Sequence, residues 1–323
     1  MWNHKGVVLE VGQFATFERN SMNNIVSQHI WSQLQQLQGK DRADFCLSQG
    51  IEAYKVQNFE ACHVLCGAAI DILFNLKDEL HYSNILSAFS FSSYSLRNLK
   101  RYDEAGALSV KASNFLYKFN ESDGKDAFEF AADCFFDSGR YFEALQIYEF
   151  IANDFMNMLS EVEEAFLFQD IAFCYQGLGE LDQAILFFNR ARKLFVLEFD
   201  PSAVALIDEE LSLCHKEVGN GQEAVRYAQY SLDFAILMND KTRLEHAHNR
   251  MGIAKLAVKE YDKALAHLRR AKELLTSDKN PDWSLVMENE ESIAKTYEFK
   301  GMVAEAAAIR KRLTSIQGIK TND

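Results

Sequence analysis

The sequence predicts an all-α fold, an array of about seven helix pairs, on three observations. Only two of the 323 residues are proline, and proline inside a helix removes a backbone donor and clashes with the preceding turn. The strong helix formers alanine, leucine, glutamate, lysine and glutamine are plentiful. Small residues recur about every 40 positions, a period that marks repeated supersecondary units.

Five segments share a turn followed by an aromatic or aliphatic residue and, three positions on, alanine. They are Tyr102 to Ala105, Tyr141 to Ala144, Leu181 to Ala184, Tyr261 to Ala264 and Val303 to Ala306. Phe59 to Cys62 and Gly221 to Ala224 are weaker copies. The landmarks 62, 105, 144, 184, 224, 264 and 306 are separated by 43, 39, 40, 40, 40 and 42 residues. Twelve residues before them stand Gly50, Ser93, Ala132, Ala172, Ser212, Gly252 and Ala294, all small. Seven residues after them stand Ala69, Ala112, Ile151, Ala191, Ser231, Ala271 and Leu313. A small side chain on each helix lets two backbones approach while larger neighbours fill the gaps to native density. Gly139, Gly179, Gly219 and Gly301 fall at the turn between the helices, where glycine adopts a left-handed backbone at least cost.

Taken in order, residues 1–42 lie outside the repeat phase and read as a capping segment with one helix, roughly 22–38. There Val26, Ile30, Leu34 and Leu37 share a face, suited to covering the open end of an array. The array itself is expected over 43–315. Ser160 and Glu163 form a capping box that opens the fourth pair. Asp200-Pro201 and Asn280-Pro281 each place an N-cap residue before a proline, opening the fifth and seventh pairs. The polar tail, 316–323, is expected to fray.

This pattern resembles the tetratricopeptide repeat (TPR), whose signature places Gly, Ala or Ser mid-helix, aromatic-x-x-Ala after the turn, and Ala one to two turns later. The clearest copies run from Met251-Gly252 to Ala271, from Ile171-Ala172 to Ala191 and from Ala131-Ala132 to Tyr148. The resemblance covers roughly 43–315 and implies a right-handed α-solenoid of about seven TPR-like helix pairs. Its period exceeds the usual TPR length of about 34 residues, so longer helices and joints are expected. Seven long repeats are also distantly similar to the Rap-type regulators of Gram-positive bacteria, which bind short peptides and alter partner binding. Those regulators carry an N-terminal three-helix bundle, for which residues 1–42 are short, and a helix-turn-helix domain has no room here.

Composition narrows the function. At 48% hydrophobic and 25% charged the chain has the balance of a folded domain. A net charge of −13 argues against nucleic acid and anionic membrane, both of which call for a basic surface. No run of 18 or more apolar residues suggests a membrane span, and Met1-Trp2-Asn3-His4-Lys5 lacks the apolar core of a signal peptide. A cytoplasmic location is therefore expected.

Cys46, Cys62, Cys66, Cys134, Cys174 and Cys214 read as packing residues. The last three are spaced by 40 and 40, and Ala254 and Thr296 hold their place in later pairs. Cys62-His63-x-x-Cys66 falls short of a zinc site, which takes four convergent ligands, and His63 should point away from the thiols. His246 and His248 are two apart on a helix and face different ways. His215 occupies a core position that is normally aromatic. With no phosphate loop, nucleophile elbow or His-Glu-x-x-His, no catalytic residue, cofactor or metal is expected.

Residues 121–220 carry 21 acidic and 6 basic side chains, whereas 241–275 carry nine Lys/Arg against four Asp/Glu. The resemblance puts the first helix of each pair on the concave side. Projecting the phase places Tyr94, Asp126, Glu129, Phe130, Asp133, Asp137, Gln169, Asp170, Phe173, Glu209, Glu210, Glu217, Asn249, Arg250 and Lys295 on or near that wall. Such a groove, acidic with aromatic patches, would attract a basic or amphipathic segment. Asn249 would bond an extended peptide's backbone. The expected function is a non-enzymatic protein- or peptide-binding scaffold or adaptor. A Rap-type receptor for a short peptide and an enzyme subunit are the alternatives.

Overall fold

The small residues do bring helices into close register. Had Gly50 a Cβ, it would lie 2.6 Å from Cys66 Sγ, and a Cβ on Gly252 would lie 2.5 Å from Leu268 Cγ. The Ser109 hydroxyl donates to Ser93 Oγ at 3.0 Å, and Ser212 Oγ donates to the Ala224 carbonyl at 2.8 Å. In three of these four crossings the small residue meets the side chain four positions after the landmark, one helical turn along.

The structure, a computed structural model, describes residues 25–76, 82–198, 200–277 and 281–320. Among the described residues it contains fifteen α-helices and no strand. A short helix, α1 (Gln28–Leu34), precedes seven pairs. The first three are α2 (Gly39–Lys55) with α3 (Phe59–Leu76), α4 (Tyr82–Asn98) with α5 (Tyr102–Leu116), and α6 (Glu121–Asp137) with α7 (Tyr141–Asp154). The fourth and fifth are α8 (Glu161–Gly177) with α9 (Leu181–Leu197) and α10 (Pro201–Glu217) with α11 (Gly221–Met238). The last two are α12 (Lys241–Ala257) with α13 (Tyr261–Leu275) and α14 (Trp283–Phe299) with α15 (Val303–Lys320). These helices fall into two compact units, one ending at Met158 and the other beginning at Leu159.

The turn inside every pair is the same. Five residues before each landmark the backbone is left-handed, at Gln57, Lys100, Gly139, Gly179, Gly219, Lys259 and Gly301, with φ between +59° and +82°. At Gly139 the amide donates to the Phe136 carbonyl at 2.9 Å, and the Arg140 amide reaches back to Phe135 at 2.8 Å. This pair of bonds closes a Schellman motif and satisfies carbonyls the helix end would otherwise leave open. The same two bonds recur at each of the other six turns.

Helix starts agree with the sequence at two of the three marked places. Ser160 and Glu163 form the reciprocal capping box, and Asp200 accepts from the amides of Ser202 and Ala203 with Pro201 beginning the helix. The third is corrected. The cap of α14 is Asp282, whose carboxylate accepts from the Ser284 and Leu285 amides at 2.9 and 3.3 Å. That leaves Pro281 before the helix, while Asn280 lies outside the described residues.

In the first unit one core runs from α1 to α6, with Val26, Leu34, Leu65, Leu73, Phe89 and Leu116 all buried in it. Helix α1 is shorter than the expected 22–38, because Ser27 caps it. Of that expected span, 22–24 fall outside the described residues, as do the rest of 1–21. By length and composition alone, α3 is apolar enough to cross a membrane. The core accounts for that character, since Val64, Leu65, Ala69, Ile70 and Leu73 are buried between α2 and α4. In the second unit, Ala228, Leu232 and Met251 form one cluster, and Leu268, Ile293 and Ile309 another. Helix α15 runs on to Lys320, past the boundary expected at 315, and 321–323 lie outside the described residues.

Candidate binding cleft

In the first unit, α4 and α6 lie side by side as first helices of adjacent pairs. The Tyr94 ring meets Phe130 edge-on, centroids 4.7 Å apart, and the Arg97 guanidinium sits 5.5 Å above Phe130. Arg97 also pairs with Asp137 at 2.9 Å and Asp133 at 3.7 Å, and Tyr148 donates its hydroxyl to Asp133 at 2.6 Å. Lys125, only 5% exposed, lies 3.1 Å from both Asp126 and Glu129. Four of the carboxylates expected to make this wall acidic are thus matched by cations of their own unit. Sequence reading missed both cations, although Lys125 and Glu129 stand at i,i+4 and Arg97 precedes Asp137 by one repeat period.

In the second unit, Gln169, Asp170 and Phe173 are half-buried on α8, with Phe173 turned edge-on to Phe188 of its own pair at 5.2 Å. Glu210 accepts from Gln176 Nε2 at 3.1 Å, linking α10 to α8. Two expected wall residues are corrected. Glu209 is 8% exposed and accepts from Ser231 Oγ at 2.8 Å, so it faces α11, and burial holds its carboxyl above the usual range. Asn249 is 1% exposed, and its Oδ1 accepts from Asn289 Nδ2 at 3.0 Å between α12 and α14. A side chain so enclosed cannot reach a peptide backbone.

The first helices α10, α12 and α14 instead build a cleft of about 920 Å³. Leu213, Ile253, Leu256, Tyr261 and Phe299 give it an apolar lining. Phe299 is 65% exposed and stacks against Tyr261 with the rings 4° from parallel. The start of α11 comes up so close to the end of α12 that a Cβ on Gly221 would lie 2.8 Å from Val258 Cγ1. Arg250, Lys295 and Glu217 line the cleft. Glu217 is paired with Lys216, Glu291 with Arg310 at 3.0 Å, and Glu288 stands 3.5 Å from Arg250. A smaller cleft of about 280 Å³ in the first unit holds Tyr94, Asp126 and Phe130.

The six cysteines are buried free thiols. Burial pushes Cys46 up to about 11 and Cys134 and Cys214 up to about 12, which keeps them protonated and poorly nucleophilic. His63 Nδ1 meets Ser92 Oγ at 2.8 Å, away from the thiols, and burial lowers its pKa to about 4. His215 stacks on Tyr227, 7° from parallel. Sequence reading missed that His248 and His267 meet across α12 and α13, Nδ1 to Nδ1 at 3.0 Å. Burial, then His267 and Arg270, lower His248 to about 4.

No family model and no curated protein matches the chain. Solved structures do. BtubC from P. vanneervenii is 18% identical, with a TM-score of 0.56 over 70% of this chain and 93% of that one. The apo form of RapI is 15% identical, with a TM-score of 0.61 over 85% of this chain and 76% of that one. A signal-transduction ATPase with a tetratricopeptide repeat sensor, from Pyrococcus horikoshii, is 12% identical, with a TM-score of 0.64 over 91% of this chain and 45% of that one. At these identities the likeness is one of fold, an all-α solenoid of TPR-like helix pairs.

Proposed function

We propose that the chain is a non-catalytic scaffold that holds an amphipathic segment of another polypeptide in the cleft between α10, α12 and α14. The observation that carries this reading is an exposed aromatic, Phe299, set over an apolar lining and ringed by charged residues. An apolar pocket with a few convergent polar groups is the usual form of a binding site, and apolar side chains spaced along a helix suit such a groove. A preference for a basic segment has less support than an amphipathic one, because Arg97, Lys125 and Ser231 engage most of the carboxylates that would draw it. Six free thiols fit a reducing compartment, and the cytoplasm is part of the proposal.

The likeness to RapI over 85% of the chain favours a second reading, a receptor of the Rap type whose occupied state alters another partner's binding. It uses the same cleft and adds a consequence to occupancy.

The test is anisotropy titration of a labelled peptide with leucines at helical spacing. Phe299→Asp, which puts a charge into the cleft, should weaken binding at least about tenfold, roughly 1.4 kcal/mol. Leu237→Asp, on α11 and outside the cleft lining, should change nothing. Equal losses from the two variants would contradict the assignment.

A further inference from the structure

Resting on that reading, we infer that the segment held in this cleft is acidic, its carboxylates meeting Arg250, Lys259 and Lys295. The cleft lining carries four cations, Lys216, Arg250, Lys259 and Lys295, and three carboxylates, Glu217, Glu288 and Glu291. What decides the sign is how far each group is already engaged. Glu291 is held by two guanidinium nitrogens of Arg310, and Glu217 by Lys216. Among the described residues, Lys259 and Lys295 make no ion pair, Lys295 reaching Glu298 only as a neighbouring charge.

Arg250 points the same way. Its side chain is 17% exposed, its one ion-pair distance is a loose 3.5 Å to Glu288, and its buried Nε has no acceptor. A guanidinium carries five donors in a planar fork matched to a carboxylate. The enclosed Nε is out of a ligand's reach and Glu209 is a neighbouring charge, so an incoming carboxylate would meet the exposed part of the fork together with Lys259 and Lys295. The net charge of −13 does not overturn this. At physiological ionic strength charges beyond about 8 Å are largely screened, so a carboxylate inside the cleft responds chiefly to the cations beside it.

Three labelled peptides of one leucine pattern, with glutamate, lysine or serine at the intervening positions, test the inference against the full-length chain. The glutamate peptide should bind at least about tenfold more tightly than the lysine peptide at low salt, and the gap should narrow as salt rises. Lys295→Glu, on an exposed helical position, should remove most of that preference. Lys259→Asn, which tolerates the left-handed backbone, should reduce it. Equal binding of all three peptides would overturn the acidic assignment and leave the amphipathic cleft standing. Tighter binding of the lysine peptide, or a Lys295→Glu variant that keeps the full preference, would also overturn it. Failure of every peptide to bind would overturn the cleft reading and the inference together.

Discussion

Gly252 occupies a mid-helix position where glycine costs about 1 kcal/mol relative to alanine, and its neighbour explains why it is there. A Cβ would sit 2.5 Å from Leu268 Cγ and 3.2 Å from the Leu268 amide nitrogen, too close for α12 and α13 to keep their separation. Overpacking of this kind costs about 1–3 kcal/mol, which exceeds the propensity gain. Gly252→Ala should therefore lower stability by up to about 2 kcal/mol, read from the urea midpoint at an unchanged slope. A raised midpoint would mean the close crossing carries no weight. The same register explains two errors at the site. Glu209 and Asn249 stand three residues before Ser212 and Gly252, close to the faces those small residues bury, and they are enclosed rather than displayed. One residue of error in the phase turns a side chain by about 100° around a helix. Arg250, one position on from Asn249, does line the cleft.

At the scale of the element, the turn is the most uniform feature of the molecule. Four of the seven left-handed positions are glycine, and these were legible from sequence. The other three, Gln57, Lys100 and Lys259, carry no residue signature, since their side chains tolerate the conformation at a cost rather than favour it. Their place becomes plain only once all seven are seen to lie five residues before the landmark. Helix caps divide in the same manner. The capping box at Ser160 and the Asp200-Pro201 start were legible, whereas the start expected at Asn280-Pro281 was misplaced, Asp282 being the cap. Lys100→Gly should raise stability by about 0.5–1 kcal/mol by relieving the left-handed cost, and Gly179→Ala should lower it by about 1 kcal/mol. Thermal melts of the two variants should move in opposite directions. If Lys100→Gly melts below the parent, the turn is stabilised by something other than backbone geometry.

At the scale of the whole molecule, the chain repeats one packing solution seven times, and what distinguishes its parts is surface chemistry. The pairing of helices was legible because a recurring small residue leaves a mark every 40 or so positions. The proposed binding surface was legible only in part, because a count of charges says nothing of which are already matched. Residues 121–220 hold 21 acidic side chains, yet Asp126, Glu129, Asp133 and Asp137 are engaged by Lys125 and Arg97. The second unit, by contrast, keeps cations unspent beside an apolar floor. Hydrogen–deuterium exchange of the full chain, with and without a saturating glutamate-and-leucine peptide, tests this account most directly. It predicts added protection confined to α10, α12 and α14 and to the turns at Gly219 and Lys259. Protection that falls instead on α4 and α6, on the second helices of the pairs, or nowhere would contradict it.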